Sequence, residues 1–391
     1  MSWPVQIIPP GGKVPEIKWM KWFFSFLCGL AVAGVSWGGA KIIAPAEESE
    51  LSKLFIFLFF LWLCVYSIIL FVRIYYYGVC LSAFEAKKHE AELFRETWIE
   101  WASKKINIPI SKLFLPSVIS KIDITASHFI EIYSEQKLKL RDHNEEVYTE
   151  EHLIYELLAS VRSTLISLRK SCVFDVIFTY GSSNITFATF KECWAAIGFP
   201  DDCLDNYYYW DGTLEQKFDM LSNIEANRVL IIISANIESI EGYYTDATEF
   251  ASILLVTNPD QLLSNENTGV ALRTMACSKT LAKQEFIHMV TYQPDVLRTS
   301  KVLFSNMSVN DVQNVSDVLR TTCLSINVGW EYETQHLDLK LGKLDDYHFW
   351  LVFALAFFIS EKNNEPILMV ACIGDEYVFN VIKPFDNSKE H

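Results

Sequence analysis

The sequence predicts an α/β protein that begins with a two-helix transmembrane hairpin and continues into a duplicated α/β domain, with layers of helices and mixed sheets. Two uncharged apolar runs, at residues 22–40 and 54–72, come first. The rest of the chain is rich in charge. Its apolar residues first recur at helical spacing, as in the predicted helix 151–168, and then form short β-rich runs, such as the predicted strand 336–341, separated by helices. The order of those runs repeats once. These three observations divide the chain into a membrane part and a folded part.

Each apolar run is long enough to cross a bilayer as one helix. At 1.5 Å per residue, 19 residues span the ~30 Å hydrocarbon layer. Cations bracket both runs, with Lys21 and Lys41 around the first and Lys53 and Arg73 around the second. Burying one of them at the bilayer centre costs about 3 kcal/mol. The alternative, a signal peptide followed by a buried core helix, is disfavoured because an h-region is shorter and no small-residue cleavage site is evident.

The distribution of positive charge predicts the orientation of this hairpin. Both outer flanks are rich in lysine and arginine, whereas the loop between the runs carries three glutamates against two lysines. The outer cations are Lys13, Lys18, Lys21, Arg73, Lys87 and Lys88. Cations stay preferentially on the cytoplasmic side of short loops. We therefore expect both termini and the folded domain in the cytoplasm, at a bacterial inner membrane.

These features give five predicted segments. They are an N-terminal cytoplasmic segment 1–21, the hairpin 22–78, a connector 79–150 that includes the start of the soluble domain, and two halves, 151–260 and 261–391. The connector begins with apolar residues at helical spacing from Phe84 onward, with glutamates on the opposite face. Packing against the following domain and docking of a partner both fit this amphipathic pattern.

Composition excludes several classes of function. The net charge of −15 argues against nucleic acid, and against an anionic lipid surface, as the main partner of the soluble part. The nine cysteines stand singly, without CxxC spacing, which is typical of reduced thiols rather than of a disulfide framework or a zinc site. The chain also lacks GxGxxG and HExxH motifs. The sequence predicts neither a cofactor nor a metal.

An internal repeat is the second informative pattern. Phe174 to Val256 contains the strand FDVIFTY, two helices and the strands RVLIIISA and FASILLV. Lys301 to Ile382 contains the strand KVLFS, two helices and the strands ILMVACI and YVFNVI. Each segment is followed shortly by a proline, Pro259 or Pro384. The pattern indicates a duplicated strand–helix unit that ends in an antiparallel strand pair.

A duplicated unit of this order, with helices between and outside two sheets, resembles the thiolase fold of the β-ketoacyl synthases. The resemblance covers about residues 110–391. It rests on the stretches FDVIFTYGSS, RVLIIISANIES with EFASILLV, and DLKLGKLDDYHFWLVFALAFFIS with PILMVACIGDEYVFNVIKP. It implies a nucleophilic cysteine at the N-terminus of a buried helix and two histidines from the second half.

The corresponding positions of this chain carry other residues. The helix before RVLIIISA starts near Asp211–Thr213 without a cysteine, and the closest one, Cys203, lies about two turns upstream. The first histidine position falls in Phe304–Ser308 and the second in Leu339–Lys343. The resemblance therefore implies a degenerate scaffold, and the sequence predicts a pseudoenzyme without catalytic residues rather than an enzyme.

Two other groups of titratable residues are candidates for chemistry. Cys277 and His288 are the nearest Cys/His pair outside the spans, and on a continuous helix they would lie ~16 Å apart along its axis, beyond the reach of proton transfer. His348 beside Asp345 and Asp346 is interpreted as an N-terminal charge pair of a helix rather than as a metal or acid–base cluster.

One stretch is typical of a recognition surface. Tyr207, Tyr208, Tyr209 and Trp210 follow a cluster of aspartates, and the sequence places them on a loop. Tyrosine and tryptophan supply a large contact area at low entropic cost, which favours a protein interface. Packing between the two halves is the competing explanation.

The predicted function is that of a non-enzymatic, membrane-anchored adaptor that holds a protein client. The architecture is similar to that of accessory membrane proteins of type VI secretion effectors, including the lipase-adaptor group, so a secreted effector is the candidate client. Three alternatives stay open. They are a membrane-bound acyltransferase or condensing enzyme with an atypical nucleophile, a toxin-immunity membrane protein, and a structural component that oligomerises through the segment after Gly78.

Overall fold

A computed structural model describes most of the chain and divides it into two compact units. The described residues are 3–4, 14–43, 48–119, 133–141, 146–181, 184–210, 214–240, 246–258, 269–345 and 348–384. One unit comprises residues 6–97, and the other comprises residues 1–5 and 98–391. The predicted helix start at Asp211–Thr213 and the predicted stop at Pro259 lie outside the described residues.

The first unit contains the two predicted apolar helices. Helix α1 is Trp19–Ile43 and α2 is Glu48–Ala102, and both are long and apolar enough to cross a membrane. Tyr66 of α2 donates a hydrogen bond of 2.8 Å to the carbonyl of Trp22 in α1, and the Trp62 ring lies against Gly29, where a larger residue would collide with it. Helix α2 runs without a break from the second apolar run through the amphipathic connector.

The second unit contains one mixed sheet and the remaining helices. The eleven strands of the described residues are β1 Lys105–Phe114, β2 Val173–Phe178, β3 Leu204–Tyr209, β4 Arg228–Asn236, β5 Phe250–Thr257, β6 Gly269–Leu272, β7 Met275–Ser278, β8 Lys301–Ser305, β9 Glu333–His336, β10 Ile367–Ile373 and β11 Glu376–Pro384. The helices are α3 Glu150–Ser160, α4 Arg162–Leu168, α5 Asn184–Ala196, α6 Leu214–Ser222, α7 Ala282–Tyr292, α8 Val309–Ile326, α9 Asp338–Leu341 and α10 Phe349–Asn363.

The strand order shows the duplication. The order along the sheet is β3-β2-β4-β5-β1-β6-β11-β10-β8-β9, and β7 pairs with β11. In the first half β3, β2 and β4 are parallel and β5 is antiparallel to β4; in the second half β9, β8 and β10 are parallel and β11 is antiparallel to β10. The predicted antiparallel strand pair is therefore present in both halves.

Several local predictions differ from the structure. The two halves form one hydrogen-bonded sheet rather than two, because β1 and β6 pair antiparallel, with Lys105 opposite Leu272. The predicted strand at 336–341 is instead the short helix α9, since β9 ends at His336. The predicted helix 151–168 is interrupted at Val161. Strand β3, which was predicted as a loop, is anchored by the Asp175 carboxylate, which accepts 2.9 Å hydrogen bonds from the Asn206 amide and from Arg228.

Helix α10 lies at the centre of the core. Its residues from Phe349 to Ala356 are all buried, and they pack against β1, β5, β10 and β11. A helix that is apolar on every side needs a protein core or a membrane around it, and here the core supplies it. Asn364, at a φ of 52°, ends the helix in the left-handed conformation that asparagine tolerates.

The last residues of α2, which belong to the second unit, pack around a buried arginine. The Arg273 guanidinium lies 4.0 Å from the Trp101 ring centroid, donates a hydrogen bond of 3.0 Å to the Trp101 carbonyl and forms an ion pair with Asp219. Trp3 is also buried there, and its indole N–H donates to the carbonyl of Thr274 at 3.1 Å. Stacking, hydrogen bonding and the ion pair together offset the cost of burying the Arg273 charge.

Candidate active site

The carboxyl ends of four strands meet at one edge of the second half. Strands β8, β9 and β10 are parallel, and β7 has the same direction as β10 because both are antiparallel to β11. In open α/β sheets, ligands bind outside this edge. Each of the four strands ends in or is followed by a polar residue that takes part in one network. These residues are Lys279 after β7, Asn306 after β8, Asp338 after β9 and Cys372, the last residue but one of β10.

Cys372 is the candidate nucleophile of this edge. Cys372 is 6% exposed. Its thiol donates a hydrogen bond of 3.4 Å to the carbonyl of Gly374, and it is also hydrogen-bonded to the Lys279 side chain. An ammonium group beside a cysteine stabilises the thiolate, which is the reactive form. Gly374, at a φ of 56°, makes the tight turn into β11 and so returns the chain to the same edge.

An ion pair and two hydroxyl groups surround this thiol. The Lys279 Nζ lies 3.0 Å from Asp311 Oδ1, and Asp311 also accepts hydrogen bonds from Tyr377 at 2.7 Å and Ser308 at 2.7 Å. Burial raises the pKa of Asp311, but the bonds from Ser308, Tyr377 and Lys279 outweigh it and lower the pKa to about 2. The hydrogen bond to Asp311 raises the pKa of Lys279, so the side chain is held as an ammonium. Burial and the Asp311 charge raise the pKa of Tyr377 to about 12.

Asn306 connects Cys372 to Asp338. Its backbone has a φ of 53°, and its side-chain amide donates 2.9 Å to the carbonyl of Cys372. The backbone amides of Asn306 and Met307 donate to the two Asp338 carboxylate oxygens, at 2.8 and 3.1 Å. Burial raises the pKa of Asp338, and these two backbone bonds oppose it. The network therefore fixes the loops after β8, β9 and β10 relative to one another.

Three other thiols of the second unit are in unreactive surroundings. Burial raises the pKa of Cys193 to about 11 and that of Cys277 to about 12, and it also raises the pKa of Cys323. Cys277 lies directly opposite Tyr377 in the β7–β11 pair, and it belongs to the same core cluster as Cys372. The lysine side chain beside Cys372 makes it the better candidate nucleophile of these thiols.

The predicted recognition cluster lies on an edge strand rather than on a loop. Tyr207 and Tyr208 are exposed on β3, and the ring of Tyr207 stacks on Phe187 with the centroids 3.9 Å apart. Tyr209 stacks on Phe178, and Trp210 packs edge-on against Trp350 of the second half at 5.0 Å. Tyr207 and Tyr208 are thus exposed, whereas Tyr209 and Trp210 pack inward. The contact of Trp210 with Trp350 is a contact between the two halves, which is the competing explanation for this cluster.

The positions implied by the family resemblance contain no catalytic set among the described residues. Asn306 lies in the stretch that corresponds to the first histidine, and the second corresponds to α9 and the turn at Gly342. Sequence reasoning examined those positions and missed Cys372. Its place at the end of the predicted strand ILMVACI was a usable signal, but nothing in the sequence pointed to Lys279 as its neighbour.

The structure also places the two groups of titratable residues that the sequence offered as candidates for chemistry. The helical separation assumed for Cys277 and His288 was wrong, because Cys277 belongs to β7 and His288 to α7; the contact of His288 is instead with Glu285, at 3.6 Å. His348 precedes α10 and hydrogen-bonds Asp345 at 2.6 Å and the Thr248 carbonyl at 2.7 Å, as a local structural pair. Within the described ranges, no group of three His, Cys, Asp or Glu side chains has metal-binding geometry.

Comparison with known proteins gave matches among solved structures. No protein-family profile and no curated protein matches the chain. The tetronic acid condensing enzyme AbyA1 is similar with a TM-score of 0.45 and 8% identity, over 72% of this chain and 100% of that one. Cerulenin-bound OleA of Xanthomonas campestris gives 0.46 and 6%, over 73% and 98%. The 3-oxoacyl-[acyl-carrier-protein] synthase III of Aquifex aeolicus gives 0.39 and 11%, over 71% and 99%.

These matches correct one prediction and support another. The matched structures are thiolase-like condensing enzymes, in line with the resemblance drawn from the sequence. The prediction that the chain is not an enzyme is overturned by them. That prediction assumed that chemistry on this fold needs the cysteine and histidines at their usual positions, whereas a thiol and a lysine meet at a different edge position here.

Proposed function

We propose that this chain is a membrane-associated enzyme of acyl transfer that uses Cys372 as an atypical nucleophile. The observation that carries the proposal is the contact between the Cys372 thiol and the Lys279 ammonium at the carboxyl edge of the second half. Nucleophilic catalysis by cysteine needs the thiolate form, and a neighbouring cation is one way to obtain it.

The proposed reaction has two steps. The Cys372 sulfur attacks the carbonyl carbon of an acyl thioester, the bond between that carbon and the donor sulfur breaks, and the proton of the Cys372 thiol goes to the departing thiol. The acyl group is then transferred to an acceptor, whose proton returns to Cys372. Lys279 stabilises the negative charge on sulfur, and Asp311 keeps Lys279 protonated. Asn306 and Asp338 are positioning residues, because they hold the backbone around Cys372.

Membrane attachment belongs to the same proposal. Two apolar helices with exposed surfaces, and the flanking cations, support a hairpin in a bacterial inner membrane with both termini in the cytoplasm. An enzyme held in this way would act on acyl donors of the reducing cytoplasm, where a free thiol persists.

Covalent labelling tests the proposal. Purified full-length protein in detergent is incubated with a radiolabelled acyl-CoA, and the modified peptide is identified by mass spectrometry. We expect one acyl group on Cys372, which hydroxylamine removes and which Cys372→Ala abolishes. Cys277→Ala is the matched control, because it removes a buried thiol from β7, which like β10 pairs with β11, and is expected to leave labelling intact. Labelling that survives in Cys372→Ala contradicts the proposal.

A second role, partner binding through β3, is supported by a separate observation. Strand β3 is at the end of the strand order of the described sheet, and Tyr207 and Tyr208 are exposed on it. A strand at the end of a sheet can accept a strand from a partner. Capture of a protein client after in-cell crosslinking, lost with Tyr207→Ala and Tyr208→Ala but kept with Ile185→Ala, supports this role; unchanged capture contradicts it. A link to type VI secretion stays a prediction.

A further inference from the structure

We infer that Lys279 is a latent acceptor for the acyl group carried by Cys372, and that the ion pair between Lys279 and Asp311 prevents this transfer. The inference rests on the proposed function and adds to it a modification site and a protective role for the carboxylate. Transfer to Lys279 would convert the labile thioester at Cys372 into a stable amide. The enzyme would then have lost the ammonium group beside its thiol.

Backbone and side-chain contacts bring the lysine to the thiol. The amide of Lys279 donates a hydrogen bond of 3.3 Å to the carbonyl of Asp375, in the turn between β10 and β11. Its side chain lies over the ring of Tyr377, with Nζ 5.6 Å from the ring centroid. Tyr377 is directly opposite Cys372 in the β10–β11 pair, and cross-strand partners share one face of a sheet. With the hydrogen bond between the two side chains, these contacts place the nitrogen of Lys279 beside the Cys372 sulfur.

Transfer from this sulfur to this nitrogen is an acyl exchange that needs no oxidant and no further reactant. The lone pair of the neutral amine attacks the thioester carbonyl carbon, a C–N bond forms, the C–S bond breaks, and one proton of the nitrogen goes to the departing Cys372 sulfur. An ammonium group has no lone pair, so it donates hydrogen bonds but cannot attack. The protonation state of Lys279 therefore decides whether the acyl group stays on Cys372.

Asp311 is fixed where it keeps the lysine protonated. Its Oδ1 lies 3.0 Å from Lys279 Nζ and accepts a hydrogen bond of 2.7 Å from Tyr377, and its Oδ2 accepts one of 2.7 Å from Ser308, the N-cap of α8. Only 15% of the Asp311 side chain and 34% of the Lys279 side chain are exposed, so solvent and salt screen the pair less than a surface pair. The carboxylate thereby lowers the fraction of Lys279 that is a neutral amine at physiological pH.

The decisive experiment follows the acyl group after it has reached Cys372. Full-length protein in detergent is labelled with radiolabelled acetyl-CoA, freed of excess reagent and incubated at pH 8, and the label that resists hydroxylamine is quantified and mapped by mass spectrometry. We expect Asp311→Asn to form the amide on Lys279 about tenfold faster than wild type or more, because loss of the carboxylate increases the neutral fraction of the amine. Asp295→Asn is the matched control, since it removes the carboxylate from another lysine ion pair, with Lys383 at 2.7 Å, and should leave this rate unchanged.

The wild-type protein gives a second measurement that does not depend on the folding of a variant. Between pH 7 and pH 9, formation of the amide on Lys279 should accelerate about tenfold for each pH unit, because the neutral fraction of an amine rises in this proportion below its pKa. A rate that does not change with pH overturns the inference. Equal rates in wild type and Asp311→Asn also overturn it, while a labile label on Cys372 still supports acyl transfer.

A reagent that needs no acyl donor lets the inference and the proposed function fail separately. o-Phthalaldehyde joins a thiol and a neighbouring neutral amine into a fluorescent isoindole, with release of water. We expect the isoindole between Cys372 and Lys279 to form about tenfold faster in Asp311→Asn than in wild type or more, and not to form in Lys279→Met. This result supports the role of the ion pair even if acetyl-CoA labels no residue, which contradicts the proposed function alone. Equal rates in wild type and Asp311→Asn overturn the inference.

Discussion

The two halves of the α/β unit have equivalent strand orders, but the carboxyl edges of their sheets differ in chemistry. In the first half, Tyr180 after β2 is buried and Trp210 after β3 packs on Trp350. In the second half, the equivalent edge holds Cys372 with an ion pair and a half-buried carboxylate. Burial raises the pKa of Tyr180 well above its usual range, so its phenol is neutral at physiological pH. The edge of the first half is thus filled by packed aromatic rings, whereas the edge of the second half carries charged and polar side chains.

This difference shows how a duplicated fold can separate stability from chemistry. The backbone provides the same edge twice, and aromatic side chains fill one copy while polar side chains line the other. Substitutions at the first edge should therefore change the free energy of unfolding, and substitutions at the second edge should change the rate of acyl transfer. Four predictions test this division, in order of decreasing effect.

Replacing the thiol at the second edge should have the largest effect. We expect Cys372→Ala to reduce the acyl-transfer rate by about 10³-fold or more, which corresponds to about 4 kcal/mol, because no nucleophile remains. Thermal unfolding in detergent should change little, since one sulfur atom is lost from a nearly buried site. Steady-state transfer of acyl groups from acyl-CoA measures the rate. A large drop in Tm with retained activity would place Cys372 among the packing residues instead.

Removing a ring from the first edge should mainly destabilise the fold. Tyr180→Ala deletes a fully buried aromatic side chain that contacts Phe178, and we expect the free energy of unfolding to fall by about 3 kcal/mol. Denaturant unfolding followed by tryptophan fluorescence gives this value. Tyr180→Phe keeps the ring and serves as the control, with an expected change below about 1 kcal/mol. Loss of acyl transfer in folded Tyr180→Phe protein would contradict the division between the edges.

Neutralising the lysine should lower activity without unfolding the protein. Lys279→Met keeps the aliphatic part and removes the charge beside Cys372, and we expect a rate about 10²-fold lower, equivalent to about 2.7 kcal/mol. The test is the pH dependence of the reaction of Cys372 with iodoacetamide, which should shift to higher pH in this variant. Lys279→Arg keeps the charge and should retain most of the reactivity. An unshifted profile in Lys279→Met would exclude thiolate stabilisation by the lysine.

The ion pair should add a smaller, pH-dependent contribution to stability. The folded-state pKa of Asp311 is lowered from 3.8 to about 2, so its contribution is fully present above pH ~4 and is lost as pH falls through the folded value. A shift of this size corresponds to about 2 kcal/mol. We expect the difference in unfolding free energy between wild type and Asp311→Asn to shrink between pH 5 and pH 2. A difference that stays constant over this range would show that the carboxylate charge is not what stabilises the site.

Much of the architecture could be predicted from local sequence patterns. Runs such as RVLIIISA and ILMVACI are nearly continuous in aliphatic residues because both faces of those strands are covered, and the second apolar run has no polar side. Errors occurred where a tertiary contact overrides local preference. Strand β3 carries polar and tyrosine residues typical of a loop, but the buried Asp175 carboxylate fixes its backbone beside β2.

The sequence alone determined the two apolar helices, the mixed α/β class and the repeat with its antiparallel strand pairs, because these follow from hydrophobic periodicity over consecutive residues. Tertiary structure alone decided that β1 and β6 join the halves into one sheet and that Lys279 meets Cys372. Strand pairing between distant segments depends on packing that no local pattern encodes. For the same reason a sequence can supply a cysteine at the end of a strand, but only the fold supplies the ammonium group beside it.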